Sequence, residues 1–430
     1  MNKQISRIVA MGIGLSVISG SIIPAYATES INTSVIKNVQ ALANEDNILT
    51  VEQAINAAIS NSDTLALKSK EIKLAKDKLD IQDDIDDFKD EDHDFPYDKL
   101  ELLLNQTKEN RDFMEDQIAE DIRGKFNDLV SAEMAIEKLK KDIDIKDREI
   151  ETKLLKHNLG LATSIEIDAA KLELENLKVK LNNKQNALKD NKDYLGLLTN
   201  LDLSKYTLDR SVDYKPFRIE GSIDSYMSAR VDEYMHYNEE LITLTKDYLK
   251  DNKVKEPSSP SKKAPDKNDY YKTEENPDDG TVSTVFDEEA YKNAVSDYKD
   301  DCTAYLTGMN TYGSYLSSKY QLDSSQVSIS EGKKTLKKGL IDSYTALLNL
   351  EDNINILKSQ IELTNKKLEI TRTQYNVGLA TKLDYDKAVL ASEQAELSLR
   401  NIIDNYNKLK TGIQKPWVLS SGTSDGSVAK

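Results

Sequence analysis

The sequence predicts an all-α chain of long antiparallel helical hairpins in two tandem repeats, with little or no β-barrel. Three observations carry this. Only 16 Gly and 8 Pro serve 430 residues, too few for the many turns of an antiparallel β protein. Apolar residues recur at spacings of three, four and seven over very long stretches, which marks one helical face. One motif also occurs twice, as HNLGLATSIEID at 157–168 and YNVGLATKLDYD at 375–386.

The N-terminus reads as a secretory signal over residues 1–27. Lys3 and Arg7 precede the charge-free apolar run Ile8 to Ile23, and Ala25-Tyr26-Ala27 fits a small-x-small cleavage site. That run is short for a bilayer-spanning helix. Residues 28–48 read as a flexible lead-in. Cys302 is the lone cysteine, so the exported chain has no internal disulfide framework.

The first repeat covers 49–200. It opens at Thr50, which forms a capping-box pattern with Gln53. Ile118, Ile122, Phe126, Leu129, Ile136, Leu139, Ile143, Ile150 and Leu154 then share one helical face. A helix from about Asp98 to His157 is roughly 90 Å long, so it must pack sideways against neighbours, as coiled coils do. At the motif, Gly160 supplies the left-handed residue that ends a helix. Thr163 starts the next helix, with Glu166 three residues on. Leu172, Leu174, Leu177, Leu181 and Leu188 continue that helix. A link at 201–220 carries Pro216.

The second repeat covers 221–411 and repeats the plan. Its helix starts near Gly221-Ser222 and runs to about Lys250. Residues 254–283, rich in Pro, Ser, Lys, Asp and Glu, predict a disordered insertion. A short helix is expected at about 287–307, with Gly308 and Gly313 as interruptions. Leu336 to Tyr375 then carries a long apolar face into Gly378, Thr381 and Asp384. From 412 to 430 the chain reads as a flexible tail.

Density of matching positions in one chain makes duplication the economical explanation. Asn158, Gly160, Leu161, Ala162 and Thr163 correspond to Asn376, Gly378, Leu379, Ala380 and Thr381. These motifs, the opening LTVEQAINAAISNSDTLALKSKEIKLAKDKL and the tandem duplication resemble the TolC-like outer-membrane efflux protein family, over most of the exported chain. The resemblance implies a homotrimer whose hairpins form a hollow helical barrel. It implies tips that meet a membrane-fusion adaptor protein, itself coupled to an inner-membrane pump. By position, the tip residues are Asn158, Gly160, Leu161, Ala162, Asn376, Gly378, Leu379 and Ala380.

One departure stands out. The family inserts two β-hairpins per chain to build a membrane barrel, whose strands need roughly 9–11 residues each. Asp83–Tyr97 is too short for two such strands and is dense in aspartate, and the segment from 254 is rich in Pro and Lys. The expectation is a homologue without a barrel.

Other chemistry is sparse. A net charge of −17 argues against a nucleic-acid binder. Asp90, Asp92, Asp94, Asp98 and Glu101 match calcium-loop spacing, but Phe95 stands where the turn needs glycine. An acidic solvated loop is the plainer reading, with no metal. Three scattered His and no Gly-rich phosphate loop leave nothing for catalysis or a cofactor. Two functions remain: an oligomeric export duct or scaffold, and a secreted structural or adhesive coiled-coil protein that keeps the fold without a transport pore. Either one sits in the cell envelope or outside the cell.

Overall fold

The computed structural model describes residues 47–90, 94–259, 263–275 and 282–419. The signal sequence, nearly all of the lead-in and residues 420–430 lie outside these. The helices are α1 (Val51–Asn61), α2 (Asp63–Lys89), α3 (Phe95–Asn158), α4 (Ser164–Thr199), α5 (Ile223–Asp251), α6 (Glu288–Asn376), α7 (Lys382–Gln414) and the short α8 (Pro416–Leu419). Two small sheets accompany them. Strand β1 (Ile48–Leu49) pairs in parallel with β2 (Thr207–Leu208), and β3 (Tyr271–Glu275) pairs antiparallel with β4 (Val282–Phe286). The predicted hairpins are therefore present: α3 with α4, and α6 with α7.

The chain divides into two compact units that do not follow the repeats. One takes Leu79–Leu102 and His236–Gly332; the other takes the described residues up to Lys78, Leu103–Met235 and the chain from Lys333 onward.

In the larger unit, the core forms where three helices meet in each repeat. Ala54, Ile55 and Ala58 of α1 pack on Ile122, Phe126, Leu129 and Val130 of α3 and Leu195 of α4. In the second repeat, Met227 and Val231 of α5 pack on Leu340, Tyr344, Leu347 and Ile354 of α6 and Ile403 and Tyr406 of α7. Both cores are helix-on-helix, as the three-and-four spacing requires. The link is tied down by tyrosines: the Tyr406 hydroxyl accepts from the Phe217 N–H at 2.7 Å and that of Tyr344 from Ile219 N–H at 3.4 Å.

Here the tail expected to be loose from Gly412 is packed as far as Leu419. Trp417 stacks on Phe113 of α3 at 4.3 Å and donates from Nε1 to Asp116 at 2.9 Å. Lys415 pairs with Asp116, and Gln117 donates to the Trp417 carbonyl. Gly412 makes room: a Cβ there would sit 2.4 Å from a Leu419 methyl. Composition hides this, because one tryptophan supplies the anchor.

The smaller unit departs further from expectation. Instead of a short helix interrupted at Gly308 and Gly313, α6 runs unbroken from Glu288. Tyr315 and Leu322, with Tyr312 and Ile329 beside them, carry an apolar seam through this stretch onto Ile242, Tyr248 and Leu249 of α5 and Phe95 of α3. That packing outweighs the roughly 1 kcal/mol each interior glycine costs. At Gly308 the missing side chain is used, since a Cβ would lie 3.1 Å from Pro257. The insertion expected to be disordered is partly structured. Tyr270 and Phe286 pack against Tyr291 of α6, and Lys272 pairs with Asp287. The acidic break also shrinks, because α2 continues to Lys89 and α3 begins at Phe95.

Candidate functional site

The two hairpin tips are the sites the sequence singles out, and both are built the same way. At the first, Gly160 takes φ +74°. Its N–H donates to the His157 carbonyl, and the Leu161 N–H reaches back to that of Lys156, each at 2.8 Å. This crossed pair satisfies carbonyls that a helix end otherwise leaves orphaned. At the second, Gly378 takes φ +77°, with Gly378 N–H to Tyr375 at 3.0 Å and Leu379 N–H to Gln374 at 2.8 Å.

Each returning helix starts on a capping box. Thr163 Oγ1 accepts from Glu166 N–H at 3.3 Å, and Thr163 N–H donates to the Glu166 carboxylate at 2.7 Å. Thr381 and Asp384 repeat this at 3.1 and 3.0 Å. The backbone and then the hydroxyl of Thr163 hold the Glu166 carboxyl below its ordinary range. The hydroxyl and then the backbone of Thr381 do the same for Asp384.

What the tips present is apolar. Leu161 is 74% exposed and Leu379 81%, with Leu159 and Val377 beside them also open. Asn158, Gly160, Asn376 and Gly378 are exposed too, while Ala162 and Ala380 are half-buried. The tips differ in their support. His157 Nδ1 lies 2.8 Å from the Ala162 carbonyl, whereas Tyr375 stacks on Tyr385 with Lys382 above it.

Behind the tips, the two hairpins are joined through α3 and α7. Arg148 pairs with Asp386, Lys141 with Glu393, and Lys387 with Glu149 at 2.5 Å. Partial burial pushes the Glu149 carboxyl up, but bonds from Lys387 and Lys146 bring it below its usual range. Exposed pairs contribute little singly; as a ladder they set register. Deeper, the buried Arg400 of α7 donates to the Arg210 carbonyl at 2.5 Å and to Asn127 of α3 at 3.2 Å.

Sequence inspection missed one feature that its own periodicity contains. Helix α4 buries Ala170 and Leu174 against Ile143 and Ile150 of α3, with Ile167 buried beside them in sequence, yet Ile165, Leu172 and Val179 are 59–77% exposed. Leu172 is two residues from both Ala170 and Leu174, so it lies ~160° round the helix from each. Helix α6 does likewise: Ile354 faces inward, while Ile356, Leu363 and Ile370, seven apart, are 55–58% exposed, and Val377 just past its end is 65% exposed. Thus α3 touches α4 and α7, and α7 touches α3 and α6. Towards the tips, the outer helices α4 and α6 show one such neighbour each and an apolar stripe on the other side, although farther from the tips α4 also meets α1 and α6 also meets α5.

The calcium-loop residues are not brought together as a loop. Asp94 caps α3, its carboxylate accepting from Phe95 N–H at 2.7 Å. Asp98 and Glu101 then lie exposed on that helix, Asp90 follows α2, and Asp92 is outside the described residues. Among the described residues no group of three or more His, Cys, Asp or Glu is placed to hold a metal.

No family model matches the sequence, and no curated protein does. Solved structures match the fold over nearly its whole length. A membrane protein from Pseudomonas aeruginosa aligns with a TM-score of 0.53 at 12% identity, over 92% of this chain and 100% of that one. The CmeC outer membrane channel of Campylobacter jejuni gives 0.51 at 13%, over 92% and 94%. CusC, whose structures concern folding and transmembrane channel formation, gives 0.50 at 10%, over 92% and 98%. The chain therefore has the fold of the TolC-like outer-membrane efflux channels.

Proposed function

We propose that this chain is a non-catalytic export component of the cell envelope, a homotrimer whose hairpins line a duct and whose tips dock on a membrane-fusion adaptor coupled to an inner-membrane pump. The observation that carries the duct is the two-sidedness of α4 and α6. In a closed helical wall every helix has a neighbour on each side. Towards the tips, α3 and α7 have both within the chain, while α4 over 165–179 and α6 over 356–370 keep apolar residues at period seven for one more helix. A second copy supplies it. The number three comes from the resemblance.

The adaptor contact rests on the exposed leucines of both tips, each beside a glycine that lets a partner's backbone approach. The signal-like N-terminus supports export. No helix among the described residues is long and apolar enough to cross a membrane. The strands β3 and β4 have 5 residues each, about half a membrane-crossing strand, and β3 carries Lys272 and Glu274. We take this as support for a duct without a barrel, lying in the envelope or beyond it.

A pull-down with a membrane-fusion adaptor encoded beside this chain tests the tip role. Leu161→Asp with Leu379→Asp should abolish capture with helicity unchanged. Capture at the wild-type level would remove the tips from the interface and favour the secreted structural reading.

A further inference from the structure

Helix α6 carries a stretch whose composition the fold does not require. From Cys302 to Ser330, ten of 29 residues are Ser or Thr and four are Tyr, while only Lys319 and Asp323 are charged, in a chain that is 31% charged. Serine and threonine weaken a helix interior, because their hydroxyls compete for the backbone. The seam inside the smaller unit uses the apolar side, with Tyr315 and Leu322 packed onto α5 and α3. Seven of the ten Ser and Thr are exposed, among them Ser317 and Ser324. These two, with Leu316, Tyr320 and Gln321, line a groove of about 620 Å³. Tyr320 is 76% exposed. Ser317, Tyr320 and Ser324 follow at spacings of three and four, so they share one face of the helix. Lys319 and Asp323 are exposed beside that face and cancel in charge.

We propose that this groove binds a neutral glycan strand of the cell envelope, a linear polymer of N-acetylated amino sugars. The class follows from what each kind of ligand needs. A lipid surface needs a continuous apolar face, and serines interrupt this one. A nucleic acid or an anionic wall polymer needs cations, and here Lys319 stands beside Asp323 in a chain of net charge −17. A packed protein helix would bury the hydroxyls, each at a cost unless it is paired. A polyol offers a donor and an acceptor to every one of them, and Tyr with Ser, Gly and Asn is the chemistry of adaptable polar recognition. The Tyr320 ring supplies a flat apolar surface for the C–H face of a sugar and a hydroxyl for its edge. Gln321 offers an amide to the acetamido group, and Leu316, 47% exposed in the same groove, faces its methyl. The Asp323 carboxylate accepts from sugar hydroxyls. Ser314 and Ser317 donate to the carbonyls of Asn310 and Gly313 at 2.9 and 3.0 Å, which leaves their oxygens as acceptors. This site goes beyond the duct reading and shares with it only the placement in the cell envelope.

Calorimetric titration of the full chain with the hexamer of N-acetylglucosamine tests this, with maltohexaose as the sugar that lacks acetamido groups. The wild type should bind the acetylated hexamer saturably and maltohexaose more weakly. Tyr320→Ala with Ser324→Ala, both at exposed positions and checked for helicity by circular dichroism, should weaken binding about tenfold. Tyr320→Phe keeps the ring and should stay within about threefold of the wild type. No saturable heat from the wild type up to about 10 mM hexamer, or equal affinity in the double variant, would overturn the site. Equal affinity for maltohexaose would overturn the assignment to acetylated sugars. If Tyr320→Ala lost self-association while no sugar bound, the face would belong to a second copy and the proposal would fall. These titrations need no adaptor, so their failure leaves the duct reading standing, and an adaptor pull-down that fails leaves this site standing.

Discussion

Replacing Gly160 isolates the energetics of the bend. A Cβ at this position meets nothing within 4 Å, so packing adds no penalty and the cost is the backbone alone. At φ +74° an L side chain costs about 1–2 kcal/mol, and valine, branched at Cβ, lies at the upper end. Asparagine enters this region more readily and should cost less. Spread over so long a chain, such a change moves the melting temperature very little. The loss instead appears locally, because the Gly160 and Leu161 N–H groups close the turn. At about 1.4 kcal/mol per factor of ten, Gly160→Val should speed amide exchange across 156–162 roughly 5–30-fold. The peptide across 374–381, with its own glycine, should not change. Exchange at the wild-type rate in Gly160→Val would refute the claim that a left-handed glycine sets the reversal.

Four other substitutions follow from the packing. Thr163→Ala should loosen the first turn of α4 by about 1 kcal/mol. Since the folded-state Glu166 carboxyl titrates below its ordinary range, its stabilising effect is full at neutral pH and fades as the pH falls through that depressed value. Glu166→Gln should abolish this acid response in tip exchange, and a response that persists would place its origin elsewhere. Asp116→Ala removes the acceptor for Trp417 and the partner of Lys415. Because the chain has 1 Trp, its emission should shift to the red and become more quenchable by acrylamide. Arg400→Ala leaves the Arg210 carbonyl and Asn127 without their buried donor and Asp404 without its ion-pair partner, and should cost about 3 kcal/mol, read as a lower urea midpoint. An unchanged midpoint would mean that Arg400 does not hold the hairpins together.

Local chemistry was legible wherever one residue type has one job. Gly160, Gly378, Thr163 and Thr381 announce a bend and a cap, and they form both. The hairpin helices were legible for the same reason, since a run of apolar spacings from Ile118 to Leu154 has few alternatives. What stayed hidden depends on distant partners. Trp417 lies in the stretch read as a flexible tail, and between docking and looseness its sequence context does not choose, because its anchor, Phe113, is far away in sequence. The unbroken passage of α6 through Gly308 and Gly313 depends on a seam shared with α5 and α3, which overrides local propensity. The stripes on α4 and α6 were present in the sequence as a second period of seven. They acquire meaning only once the intramolecular seam shows which face is already covered.

The central claim is that copies of this chain close a helical wall without inserting a barrel into a membrane. Mass photometry of the purified chain in detergent-free buffer tests it most directly. A discrete soluble species at about three times the mass of one chain is expected, in line with interfaces built from α4 and α6. A monomer at every accessible concentration, or an oligomer that survives only in detergent, would contradict it.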